Sequence, residues 1–129
     1  MTFIPETPMV WSEIPVTDMT KAMAFYKAVT DMEFELIENM GPNPFAIFKR
    51  AGSGVSGHLY PGKPAGDGTG PTVHLMVDGD LEEKMERVAK AGGTVLSEPV
   101  AIPAGRFAYF NDPDGNSMAL FELSADAAA

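Results

Sequence analysis

The chain has 129 residues, no cysteine and two histidines, and its 9 basic against 18 acidic side chains leave a formal charge of −9. This length fits one domain, and the missing thiols exclude disulfides, zinc ribbons, iron–sulfur clusters and cysteine nucleophiles, so any metal or acid–base site must be built from His, Asp, Glu and Tyr. The negative charge repels phosphate backbones and anionic headgroups, which argues against nucleic acid and membrane surfaces as partners.

No stretch approaches the about 20 apolar residues of a membrane span. Met1–Met9 has neither the basic region nor the apolar core of a signal peptide, and the expected location is cytoplasmic. The first extended run is Trp11-Ser12-Glu13-Ile14-Pro15-Val16, ending at Thr17-Asp18. Asp18 then caps a helix with Met19, Ala22, Met23, Tyr26 and Val29 on one face. Three strands are predicted next, at about 33–39, 45–49 and 55–60, divided by Gly41-Pro42-Asn43-Pro44 and Ala51-Gly52-Ser53-Gly54. The Pro- and Gly-rich stretch 61–71 forms neither helix nor central strand and reads as a linker.

Beyond it the pattern recurs. Thr72-Val73-His74-Leu75-Met76-Val77 runs into a helix capped by Asp80, with Glu83 placed for a capping box and Leu81, Met85 and Val88 as its buried stripe, and Gly92-Gly93 ends it. Strands at about 94–101, 106–110 and 117–123 follow. Each half is therefore β-α-β-β-β, the first at about 9–60 and the second at about 72–123 of a single domain. Four strands of one half cannot close a core alone. The expected fold is α+β: two such units whose strands form a curved mixed sheet around a cleft, with the helices outside.

Within this repeat, Ile14-Pro15-Val16-Thr17-Asp18 with Ala24-Phe25-Tyr26, then Ala91-Gly92-Gly93-Thr94, then Phe110-Asn111-Asp112-Pro113-Asp114-Gly115-Asn116 stand in an order that resembles the vicinal oxygen chelate superfamily, which groups glyoxalases, bleomycin-resistance proteins and extradiol dioxygenases. The resemblance covers about residues 10–123. It implies a small-molecule cleft, often a homodimer, and in many members a divalent metal held by a His or Gln in the first strand of a unit and a Glu in its last. The Asp112-Pro113-Asp114-Gly115-Asn116 segment reads by itself as hairpin chemistry, with Gly115 supplying positive φ, and Phe25-Tyr26 as packing of the helix on its sheet.

Carried onto this sequence, the metal positions of the resemblance fall at Trp11, Thr72 and Ala119 and near Ser56-Gly57-His58. Indole and methyl groups hold no cation, so the usual metal site is expected to be absent. Two residues further along the first strands, Glu13 and His74 are counterparts under the repeat and share the cleft face by strand parity. They are the candidate catalytic pair, and with His58 they leave room for a displaced divalent metal.

Trp11, Tyr109 and Phe121 predict an aromatic wall for an apolar or planar ligand, and His58 and Thr72 complete the candidate binding set. Glu122 should face away from the cleft as a surface carboxylate, and Arg106 reads as a solvated strand-end cation or a ligand-carboxylate partner. The leading expectation is a metal-free binding protein. The alternative is a lyase or dioxygenase-like enzyme using Glu13, His74 and His58. Gly66-Asp67-Gly68-Thr69-Gly70 lacks the helix and Lys of a phosphate loop, no serine has an elbow context, and nine Met without a His cluster make no copper site.

Overall fold

The computed structural model describes residues 2–124. Its first unit comprises β1 (Trp11–Val16), α1 (Met19–Thr30), β2 (Phe34–Ile37), β3 (Phe45–Phe48) and β4 (Ser56–Pro61). The second comprises β5 (Val73–Met76), α2 (Leu81–Lys90), β6 (Thr94–Val95), β7 (Val100–Ile102), β8 (Gly105–Asn111) and β9 (Ser117–Leu123). The fold is α+β, with strands in the order β1-β4-β3-β2 in one sheet and β5-β9-β8-β6 in the other, where β7 also pairs with β8. In both sheets the first strand lies parallel to the last, and the remaining pairs are antiparallel. No helix among the described residues is long and apolar enough to cross a membrane.

The strand predicted at 94–101 is two pieces. Pro99 has no N–H to give, and Ser97 bulges out so that its Oγ accepts from the Tyr109 N–H at 2.9 Å, beside a Leu96 N–H bond to the Tyr109 carbonyl. Helix α1 starts as expected, with Asp18 accepting from the Lys21 N–H, and ends on Asp31 in the left-handed region at φ 63°. At α2 the sequence expectation changes: Asp80 makes no side-chain cap bond, and the Leu81 N–H instead donates to Glu122 at 3.0 Å. Glu122 is thereby turned toward the helix rather than standing as a surface carboxylate.

Strand alternation gives each sheet one face against the helices. Ile14, Val16, Ala46, Phe48 and Leu59 from the first sheet, Leu75, Ala108, Phe110, Met118 and Leu120 from the second, and Ala22, Phe25, Tyr26, Val29, Leu81 and Val88 from the helices form one cluster. Phe25 crosses between units, its ring 6.2 Å from that of Phe110. The stripe of α2 includes Lys84, buried beside the end of α1 and paired with Asp31 at 3.3 Å; Arg87 reaches the same carboxylate at 2.9 Å. Met85, expected in that stripe, packs partly buried at its margin.

A polar clamp closes the joint. The Tyr26 hydroxyl donates to Asp112 at 2.5 Å, and both residues are buried. Asp112 also accepts from the backbone N–H groups of Asp114 and Asn116 and from Asn116 Nδ2, which donates onward to the Pro15 carbonyl at 2.8 Å. Thr17 Oγ1 donates to Asp114 at 2.6 Å. The hairpin expected only to turn thus grips the β1–α1 corner of the other unit. Gly115, at φ 79°, has no room for a side chain, because an added Cβ would lie 2.4 Å from the backbone of Gly66 in the linker. Burial and the neighbouring carboxylate push the Tyr26 hydroxyl well above its ordinary value and keep it a donor.

Removing the donor while leaving the buried acceptor should be expensive. Tyr26→Phe is expected to lower the unfolding free energy by about 1.5–3 kcal/mol in urea titrations followed by circular dichroism, the range for hydrogen bonds to charged groups.

Candidate functional site

The face of each sheet turned away from the helices carries the candidate residues. On the first sheet, register places Glu13 opposite His58 and Trp11 opposite Ser56. Trp11 Nε1–H donates to His58 Nδ1 at 2.9 Å, and His58 Nε2 lies 3.2 Å from Glu13 Oε1. With Nδ1 accepting, the proton of the neutral ring belongs on Nε2, the nitrogen nearer the Glu13 carboxylate. Glu13 is 67% exposed and His58 14%, so the imidazole is held from behind and the carboxylate faces solvent. Phe45 and Tyr60 stand beside the imidazole, with ring centroids 4.8 and 6.0 Å away, and the Arg50 guanidinium lies 5.3 Å over the Trp11 ring.

On the second sheet, register places His74 opposite Ala119, and Ala119 opposite Tyr109. Rings surround His74: Phe107 at 5.3 Å, Phe121 at 5.9 Å and Tyr109 at 6.0 Å. Phe107 and Phe121 stack with planes 14° apart. Met76, Val100 and Ile102 leave further apolar surface exposed at this sheet. These neighbours shield part of the imidazole, which stays exposed on its open side, and the partial loss of water lowers its pKa from the ordinary histidine value. Thr72, just before β5, shares a 2.5 Å hydroxyl contact with Ser117.

Glu13, His58 and Trp11 therefore meet, and His74, Tyr109 and Phe121 meet, but on different sheets. The Glu13, His58 and His74 side chains do not converge within one chain. Among the described residues the one three-member group close enough to share an ion is Asp80, Glu82 and Glu122. Arg106 occupies two of its members, with a two-pronged pair to Glu82 at 2.8 Å and a bond to Glu122 at 2.9 Å, so it is not a solvated strand end. That pairing holds the Glu82 carboxyl down to about 2. Sequence reasoning left Phe107, Phe45 and Tyr60 out of the candidate set. The alternation of Phe107 with Tyr109 was the available signal for the first; the other two required the order β1-β4-β3.

Residues 9–120 match the model of the Glyoxalase/Bleomycin resistance protein/Dioxygenase superfamily, and the chain belongs to that superfamily. It is 33% identical over 116 residues to CFP32 of Mycobacterium tuberculosis and Mycobacterium bovis, a protein named provisionally as a glyoxylase. That match spans 88% of this chain and 44% of the relative, so the chain spans less than half the length of the curated proteins it matches. Among solved structures, a glyoxylase/bleomycin resistance protein/dioxygenase domain from Frankia superposes with a TM-score of 0.69 at 21% identity, covering 93% of this chain and all of the other. The fosfomycin resistance protein FosX of Listeria monocytogenes, solved with Mn(II) and sulfate, superposes at 0.66 with 18% identity, covering 96% and 95%.

Two spectroscopic outcomes follow from the imidazoles. In NMR titrations His74 should ionise below about 6.5. Because the unfolded chain then takes up its proton first, His74 should make the protein lose stability as pH falls below about 6.5, levelling off beneath the folded-state value. Side-chain nitrogen shifts should report His58 as the Nε2–H tautomer, and Trp11→Phe should restore a mixture of tautomers.

Proposed function

We propose that the chain binds a small aromatic or otherwise planar organic molecule against the helix-free faces, with Trp11, His58, Thr72, Tyr109 and Phe121 as contacts and Glu13 and His74 as the polar groups that address it. The carrying observation is the ring cluster around His74: Phe107, Tyr109 and Phe121 within 6.0 Å of it, with Tyr109 still exposed. Rings left at the surface around one partly shielded imidazole suit a flat, weakly polar partner.

The donor chemistry supports a reading without the superfamily's usual metal. Both nitrogens of His58 face protein partners, Trp11 and Glu13, and the Thr72 hydroxyl faces Ser117. Trp11 and the buried methyl of Ala119 offer a cation no lone pair. These residues do not fit a divalent ion.

A homodimer belongs to the same proposal. In a single chain each helix-free face looks outward from the common core, and β1 and β5 are each paired on one side only. A second copy that set its polar face against the aromatic face of the first would enclose a ligand and bring Trp11 near it. An enzymatic reading, a lyase or dioxygenase-like reaction, has one observation in its favour: the exposed Glu13 carboxylate held 3.2 Å from His58 as an acid–base pair.

Trp11 is the only tryptophan and serves as the reporter. A panel of planar aromatic compounds should give saturable quenching of its emission. Tyr109→Ala should weaken that binding about three- to tenfold, the worth of one aromatic contact. Metal analysis of protein purified without chelator should find well below one equivalent. One equivalent that disappears in both His58→Ala and His74→Ala would favour the enzymatic reading instead.

A further inference from the structure

Apart from the helix-free faces, a groove of about 530 Å³ opens between the two units. Its walls come from β1, the end of β3 with the loop that follows it, the start of β4, and β5. Three residues of its lining, Ile14, Phe48 and Leu75, are buried members of the common core, so the groove reaches the hydrophobic interior. Met32, Val55 and Val73 extend the apolar lining. Such a volume and lining lie in the range of small-molecule sites.

The rim has a charge opposite to that of the chain. Lys49 and Arg50, adjacent and exposed, both line the groove. Among the described residues neither forms an ion pair with a carboxylate, although acidic side chains outnumber basic ones two to one, 18 to 9. Glu33, the acidic residue whose carbonyl accepts from the Lys49 N–H, directs its carboxylate to Lys27 at 4.0 Å. Two uncompensated cations beside a cleft open to the core match a ligand with one anionic end and an apolar body.

We propose that this groove binds a small amphiphilic monocarboxylate, its charge held by Lys49 and Arg50 and its apolar body laid on Ile14, Phe48 and Leu75. The site is separate from the aromatic face except along β5, where His74 and Met76 border both. The Arg50 guanidinium rests 5.3 Å over Trp11, so its movement toward an anion alters the surroundings of the indole.

Decanoate and decyltrimethylammonium, equal in chain length and opposite in charge, are the probes, read on the intact chain by isothermal titration calorimetry and by Trp11 emission. Decanoate should bind saturably with a change in emission, and decyltrimethylammonium should bind at least tenfold more weakly. Lys49→Gln and Arg50→Gln, both at exposed positions, should each raise the decanoate Kd about tenfold, the scale of one charge-assisted contact. Equal binding of the two probes, or decanoate affinity unchanged in both variants, would overturn the assignment. So would decanoate binding abolished by Tyr109→Ala but retained in Lys49→Gln, which would put the carboxylate on the aromatic face. Because the planar-ligand panel reads Tyr109 and this experiment reads Lys49 and Arg50, either site can fail without the other.

Discussion

A single buried carboxylate, Asp112, holds the two halves of the molecule in register. It accepts from the Tyr26 hydroxyl of the first unit and from the amides and side chain of its own hairpin, so one group both shapes the turn and locks it to the neighbouring unit. A buried carboxylate survives only where several donors replace water, and here the donors come from both repeats. The apolar core alone would bring the halves together without fixing their relative position. Asn116 and Asp114 finish the alignment through Pro15 and Thr17, at the corner from which β1 departs.

That corner in turn sets the candidate site. Once Pro15 is anchored, strand parity sends Ile14 and Val16 into the core and leaves Trp11 and Glu13 on the open face, where the parallel pairing with β4 brings His58 between them. The same logic holds in the second unit, where β5 against β9 sets His74 over Ala119 and between rings. The helices contribute through their ends. Asp31 at the close of α1 draws Lys84 and Arg87 from α2, and Arg106 with Glu122 ties the start of α2 back to its sheet.

Much of the fold was legible because hydrophobic periodicity and turn residues report local structure directly. β1 and β9 have the predicted limits, and the repeat gave the paired units. What escaped depended on distant partners. Asp80 and Glu83 have the spacing of a capping box, yet Glu122, 41 residues away, takes the Leu81 N–H. Lys84 is buried because the neighbouring α1 supplies Asp31 as a partner for its charge, which the sequence of α2 alone does not show. In the candidate site, parity identified the facing residues Glu13, His74, Tyr109 and Phe121 but not which of them meet. That requires the order of strands within each sheet, which no local pattern encodes.

The two units share a register but not a chemistry. Glu13 opposite His58 and His74 opposite Ala119 occupy equivalent rungs of equivalent ladders, yet one rung sets a carboxylate 3.2 Å from an imidazole and the other sets an imidazole opposite a methyl group among rings. The repeat is therefore present in the backbone pairing of these rungs and absent from their side chains. Two faces so different in polarity are not interchangeable: in the proposed dimer, where the polar face of one copy meets the aromatic face of the other, an enclosed ligand would have a preferred way round, with its hydrogen-bonding edge toward Glu13 and its flat apolar surface toward Phe107 and Phe121. Orientation, which two like faces would leave undecided, would in that assembly follow from the difference between the two halves.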